Sequence, residues 1–225
     1  MTQQVGYGST ANNPTSLPSI LCLHGGGTNS MIFNIQTIRL QRALSSKFNF
    51  VFLDGPFPGP PGPGVLPVFE SCGPFLRWTR SPSDATLSEE TRTLITNACE
   101  KTEFVGVMGF SQGAKLAAGL LLEQQVKGRK GFKFGVLLMG VSPPMVSGLS
   151  EEEKATRINV PSVVVLGKED PWREEGRRLY DEFWEEGKAS LLELGIGHRL
   201  PTLDFENSMI VDEILRLYSE TREET

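Results

Sequence analysis

Short, largely apolar runs bounded by Gly, Pro or Asp alternate along this chain with longer stretches of helical period, and that alternation narrows the available folds most sharply. The runs are Ser19–Leu23, Phe50–Leu53, Val105–Gly109, Phe134–Met139, Ser162–Leu166 and Ser190–Leu194. Several are apolar at every position, which suits strands buried on both faces rather than an antiparallel sheet with one wet face. The helical patterns are Ile32–Ser45, Ser88–Lys101, Gln112–Val126, Arg173–Glu186 and Phe205–Ser219, the last opening after Pro201 and Asp204. Together they predict an α/β fold with a mostly parallel central sheet and helices on both faces.

At 225 residues the chain is of a size for one domain, expected over residues 18–220 between a polar leader, 1–17, and a charged, frayed tail, 221–225. The leader is rich in Gly, Asn, Thr and Ser and has no basic segment followed by an apolar one, so it does not read as an export signal. Cys22, Cys72 and Cys99 are an odd set without metal-ligand spacing, which predicts free thiols in a reducing compartment and a cytoplasmic protein. A net charge of -5 weighs against nucleic acid or a membrane surface as partner, and no apolar stretch approaches the ~20 residues needed to span a bilayer. One segment is odd in composition. Gly55–Pro67 is so dense in Pro and Gly that it cannot be helix or central strand, and with Val68–Pro82 it predicts a long irregular connection, 55–82.

Gly109-Phe110-Ser111-Gln112-Gly113 fits G-x-S-x-G, and it falls between a buried strand and a helix. That is where a nucleophilic serine must stand: small neighbours permit a sharp turn, and the helix start behind it offers an N–H and a positive dipole end to a developing oxyanion. A second apolar strand runs into His24-Gly25-Gly26-Gly27, whose backbone can approach a substrate closely. The N–H groups of Gly26 and Gln112 are the expected oxyanion donors, with Gly27 the near alternative. No G-x-G-x-x-G phosphate loop is completed across Gly25–Ser30.

A serine hydroxyl needs a general base, and the chain has two histidines. His24 reads as a structural residue of the glycine-rich turn. His198 follows the last apolar run and precedes the last helix, which makes it the base. The acid belongs between serine and histidine at a strand end, where Gly167-Lys168-Glu169-Asp170-Pro171 offers Asp170, with Glu169 as the alternative.

With these segments in place the chain resembles the fungal family of serine hydrolases, a small-domain branch of the α/β-hydrolases. The resemblance rests on LCLHGG at Leu21–Gly26, Asp54-Gly55-Pro56, GFSQG at Gly109–Gly113, Asp170-Pro171, and Gly197-His198 with Pro201. Gly26-Gly27 departs from it, because many relatives carry a bulkier residue after His-Gly. The resemblance implies ester or thioester hydrolysis without a metal or organic cofactor, with a place in polyketide pathways and an acyl-carrier domain of a synthase as a partner. The expected mechanism is acyl transfer through Ser111, His198 and Asp170, with Phe57, Phe69 and Trp78 of the 55–82 connection as candidate substrate-lining residues or, equally, packing residues. Two other readings remain open on the same residues: acyl transfer or cyclisation of a pathway intermediate, and a small-molecule binding module with little turnover.

Overall fold

The computed structural model describes residues 17–81 and 84–223. All of the expected leader except Leu17, and the last two residues of the expected tail, lie outside them. Among the described residues eight strands form: β1 (Ser19–Leu23), β2 (Asn49–Leu53), β3 (Phe57–Pro58), β4 (Leu76–Arg77), β5 (Phe104–Phe110), β6 (Phe134–Leu138), β7 (Ser162–Gly167) and β8 (Ala189–Leu194). Seven helices accompany them: α1 (Ser30–Gln36), α2 (Ile38–Leu44), α3 (Glu89–Lys101), α4 (Gln112–Val126), α5 (Glu151–Lys154), α6 (Arg173–Phe183) and α7 (Asp204–Glu223).

Six strands make one sheet in the order β2-β1-β5-β6-β7-β8, every neighbouring pair parallel. Both faces are covered, which is why the strand sequences are apolar without alternation. Along β1, Leu21 and Leu23 join a core with Ile95 of α3, Leu116 and Leu121 of α4 and Leu179 of α6. Ile20 and Cys22 join the opposite core with Phe33, Leu40, Leu44 and, from α7, Ile210 and Ile214. In parallel α/β sheets ligands bind beyond the carboxyl ends of the strands, so the turns after β1, β5, β7 and β8 matter most for function.

Local chemistry moves several expected boundaries. The single helix expected over Ile32–Ser45 is two, because Thr37 turns its hydroxyl onto the Phe33 carbonyl at 2.8 Å and leaves helical geometry at φ -95°, ψ 7°. Helix α6 stops at Phe183, short of Glu186, where Ile158 and Trp184 form a parallel bridge. Helix α7 runs through Glu223, past the expected helix end at Ser219 and into the expected frayed tail, with Thr221 buried. α5 went unforeseen, although Ser150 and Glu153 close a capping box at its start.

The 55–82 connection is more ordered than its composition suggests. It contains the antiparallel pair β3–β4, and Leu76 also bridges to Thr28. Its glycines serve a close approach: Gly62 donates its N–H to the Gly27 carbonyl at 2.9 Å, and a Cβ on either residue would run into the backbone opposite. A Pro/Gly-rich stretch thereby packs against the glycine turn after β1.

Candidate active site

β5 passes into α4 with one residue between them, Ser111, at φ 52° and ψ -114°. A non-glycine residue there is strained, and the surroundings hold it in place. The Ser111 N–H donates to Leu138 at 2.9 Å, and its carbonyl accepts the Lys115 N–H at 3.0 Å. The flanking glycines are equally determined: a Cβ on Gly109 would overlap the Gly113 carbonyl, and one on Gly113 would overlap the Leu23 carbonyl.

The loops after β7 and β8 bring two side chains to this turn. His198 Nε2 lies 2.9 Å from Ser111 Oγ, and His198 Nδ1 lies 2.7 Å from Asp170 Oδ2. The other carboxylate oxygen, Oδ1, accepts the Trp172 N–H at 2.8 Å. A carboxylate only accepts, so Nδ1 carries the proton and Nε2 presents a lone pair to the hydroxyl. The Asp170 side chain is 4% exposed and that of His198 11%, so both are largely shielded from water. Glu169 is exposed, and its backbone N–H is taken by Ile196. Of the two acids weighed from sequence, Asp170 is the one that reaches the imidazole.

Sequence reasoning passed over Trp172. Its ring meets His198 edge-on, with centroids 4.6 Å apart, and remains 39% exposed. The available signal was its place two residues after the acid in Asp170-Pro171-Trp172. Phe110, also against His198 at 5.2 Å, is buried.

The backbone N–H groups of Gly26 and of Gln112, the residue after Ser111, have no acceptor among the described residues. The Gly27 N–H donates to Leu76 at 2.8 Å and is not free, which removes it as an alternative donor. Gly26 sits against the Gln112 side chain, where a Cβ would come within 3.1 Å of Oε1.

Of the three aromatic residues open to lining or packing, two are buried in the core. Trp78 is fully buried, its indole N–H donating to the His24 carbonyl at 2.7 Å. Phe57 is 7% exposed, with the Arg80 guanidinium 4.6 Å over its ring. Phe69 is half-buried. A cavity of about 150 Å³ opens at the amino ends of β7 and β8, lined by Pro161, Lys188 and Arg216 among others, far from Ser111.

His24 is the structural hub expected of it. Its Nε2 accepts the Gly55 N–H at 2.9 Å, so Nδ1 carries the proton and donates to Gly25 at 2.8 Å. Burial lowers its pKa from 6.5 to about 4, against smaller opposing effects from the Gly25 hydrogen bond and Asp54. Between those two values the unfolded chain binds a proton that the folded chain refuses, so stability is complete above about pH 6.5 and falls as pH drops toward 4. The loss from this one group is about 3 kcal/mol. Urea unfolding at pH 7 and pH 4.5 should show that dependence in the native protein and a shallower one in His24→Gln; equal slopes in the two would refute it.

Comparison with known proteins agrees with this architecture. The model of the family described as "Serine hydrolase (FSH1)" matches residues 15–210. "Esterase FUS5" of Gibberella fujikuroi is 37% identical over 213 residues, covering 89% of this chain and 87% of that protein. "Thioesterase FSL2" of Gibberella zeae is 33% identical over 238 residues, covering 92% and 95%. Among solved structures, the monoacylglycerol lipase of Paleococcus ferrophilus superposes with a TM-score of 0.59 at 16% identity, over 89% of this chain and 96% of that one, which places this sheet and its helices in the α/β-hydrolase fold. Matched over most of its length, with a serine in the strained turn after β5, the chain belongs to the serine hydrolase (FSH1) family.

Proposed function

We propose that the protein hydrolyses an ester or thioester through an acyl-enzyme on Ser111, with His198 as general base and acid and Asp170 as the group that orients it. The observation that carries this is the unbroken line from Ser111 Oγ through the imidazole to a fixed, shielded carboxylate. Ser111 Oγ attacks the substrate carbonyl carbon while its proton passes to His198 Nε2. The negative charge that moves onto the carbonyl oxygen is met by the N–H groups of Gly26 and Gln112, already unpaired and carried on fixed backbone. Collapse of that intermediate expels the alcohol or thiol, which leaves with the proton from His198. Water then attacks the acyl-enzyme, giving its proton to His198, and the acid departs as Ser111 regains the proton. Asp170 holds the tautomer that makes each transfer possible and stabilises the imidazolium between them.

The substrate we propose is an apolar acyl group, delivered as a thioester by the carrier domain of a polyketide-type synthase or as a free ester, in secondary metabolism. Support comes from the family and from Trp172, an aromatic face half open to solvent beside the reacting histidine. Phe69 remains a candidate lining residue; Phe57 and Trp78 do not, since both are buried. Each methylene buried against such a surface is worth ~0.8 kcal/mol, or roughly fourfold in affinity. Accordingly kcat/KM across pantetheine thioesters and p-nitrophenyl esters should rise with acyl length, and Trp172→Ala should flatten the series. A flat or falling series in the native protein, or a preference for short charged acyl groups, would overturn the substrate reading and leave the serine chemistry standing.

A further inference from the structure

The side chain of Gln112 has no part in the mechanism above, yet both of its polar atoms are committed. Oε1 accepts the Trp78 N–H at 3.0 Å, and Nε2 donates to Thr79 Oγ1 at 2.8 Å. Thr79 is buried and passes its own proton to the Ser81 carbonyl at 2.7 Å. The start of α4 is thereby tied to residues 78 and 79.

β4, which leads directly into them, is tied to the turn after β1. Leu76 accepts the Gly27 N–H at 2.8 Å and donates its own N–H to Thr28 at 2.6 Å. The Trp78 indole donates to His24, and the ring packs on the His24 imidazole at 4.8 Å. The far side is anchored too, because Thr91 Oγ1 donates to the Trp78 carbonyl at 2.7 Å. Residues 76–79 therefore touch both backbone segments that carry the free N–H groups, His24–Thr28 on one side and Gln112 on the other. The two turns also meet directly, through the pairing of β1 with β5, which ends at Leu23 and Gly109, and through the close packing of Gly113 on the Leu23 and His24 carbonyls, but no hydrogen bond of that contact reaches the Gln112 side chain.

We infer that residues 76–79 are a strap that sets the spacing of the Gly26 and Gln112 N–H groups, and that the Gln112 carboxamide is a positioning group through which the strap holds the second donor. The inference rests on the serine mechanism proposed above. Two N–H groups bind an oxyanion well only if both meet it at hydrogen-bond distance, and an error of about 1 Å in such a site can cost roughly a hundredfold. Substrate binding, which precedes development of the charge, is affected far less.

The test compares Gln112→Met, which keeps the backbone N–H and the side-chain length while removing both hydrogen bonds, with Thr79→Val and Thr79→Ser. On p-nitrophenyl butyrate, kcat of Gln112→Met should fall by about ten- to a hundredfold with KM within about twofold, and the affinity for an alkyl trifluoromethyl ketone, whose hemiketal adduct with serine carries an oxyanion, should fall in proportion. Thr79→Val should lose part of that, while Thr79→Ser, which retains the hydroxyl, should restore nearly native values. The pH profile of kcat should keep its native shape, since Ser111, His198 and Asp170 keep their hydrogen bonds to one another. Thermal melts separate folding defects, and Thr79→Val carries the test if Gln112→Met does not fold. A kcat within threefold of native in folded Gln112→Met, or a loss that leaves ketone affinity unchanged, overturns the strap. A native protein that fails to react with a fluorophosphonate overturns the serine mechanism and the strap with it, so the two failures are distinct.

Discussion

Replacement of Ser111 by alanine is expected to remove fluorophosphonate labelling entirely and to lower kcat by roughly 10⁶, the scale seen when a triad serine is deleted. The strained turn at φ 52° is held by backbone contacts, not by the hydroxyl, so the fold should persist with an unaltered melting profile. Residual turnover of ~10³–10⁴ over water should remain, because the Gly26 and Gln112 N–H groups still polarise a bound carbonyl. Labelling is followed by intact mass, and turnover on the best thioester of the length series. Near-native activity in the alanine variant would show that Ser111 is not the nucleophile.

The next largest loss is expected from Asp170→Asn, on the order of 10⁴ in kcat. An asparagine amide at this position can donate to Nδ1, which drives the proton to Nε2 and leaves no lone pair for the Ser111 hydroxyl. Asp170 also receives the Trp172 N–H, and asparagine can keep that bond through its oxygen, so the loop should stay in place. Glu169→Gln changes an exposed side chain one residue away and should alter kcat by less than about twofold. Measuring both variants at the pH optimum decides the assignment: comparable losses, or a larger one at Glu169, would move the acid from Asp170 to its neighbour.

These residues were legible because each is named by type and by position at a strand end. Ser111 sits between an apolar run and a helix, His198 is the histidine left over once His24 is set in its turn, and Asp170-Pro171 ends a strand before a helix. Strand runs were equally plain, since burial on both faces leaves few polar residues to blur them. What failed was anything decided by contacts remote in sequence. An aromatic residue in a Pro/Gly-rich connection carries no sign of whether it meets solvent or the core, so Trp78 and Phe57 read equally as lining or packing, and both are buried. The role of Gly27 depended on Leu76, far along the chain, taking its N–H. Thr37 broke a helix through a hydroxyl bond to the Phe33 carbonyl, a local competition that apolar periodicity does not register. Trp172 is not legible because nothing local decides whether the ring after Asp170-Pro171 turns toward His198 or away from it.

The serine and the histidine that meets it are 87 positions apart, and the carboxylate is 28 before the histidine. During synthesis at about 5–20 residues per second, Ser111 is therefore made several seconds or more before His198. On the mechanism proposed above, the hydroxyl is over that interval no more reactive than any other serine. The half-site stays inert until β8 has been laid against β7 and the loop beyond it has closed, so on that mechanism reactivity toward an acylating probe should serve as a clock for the completion of folding.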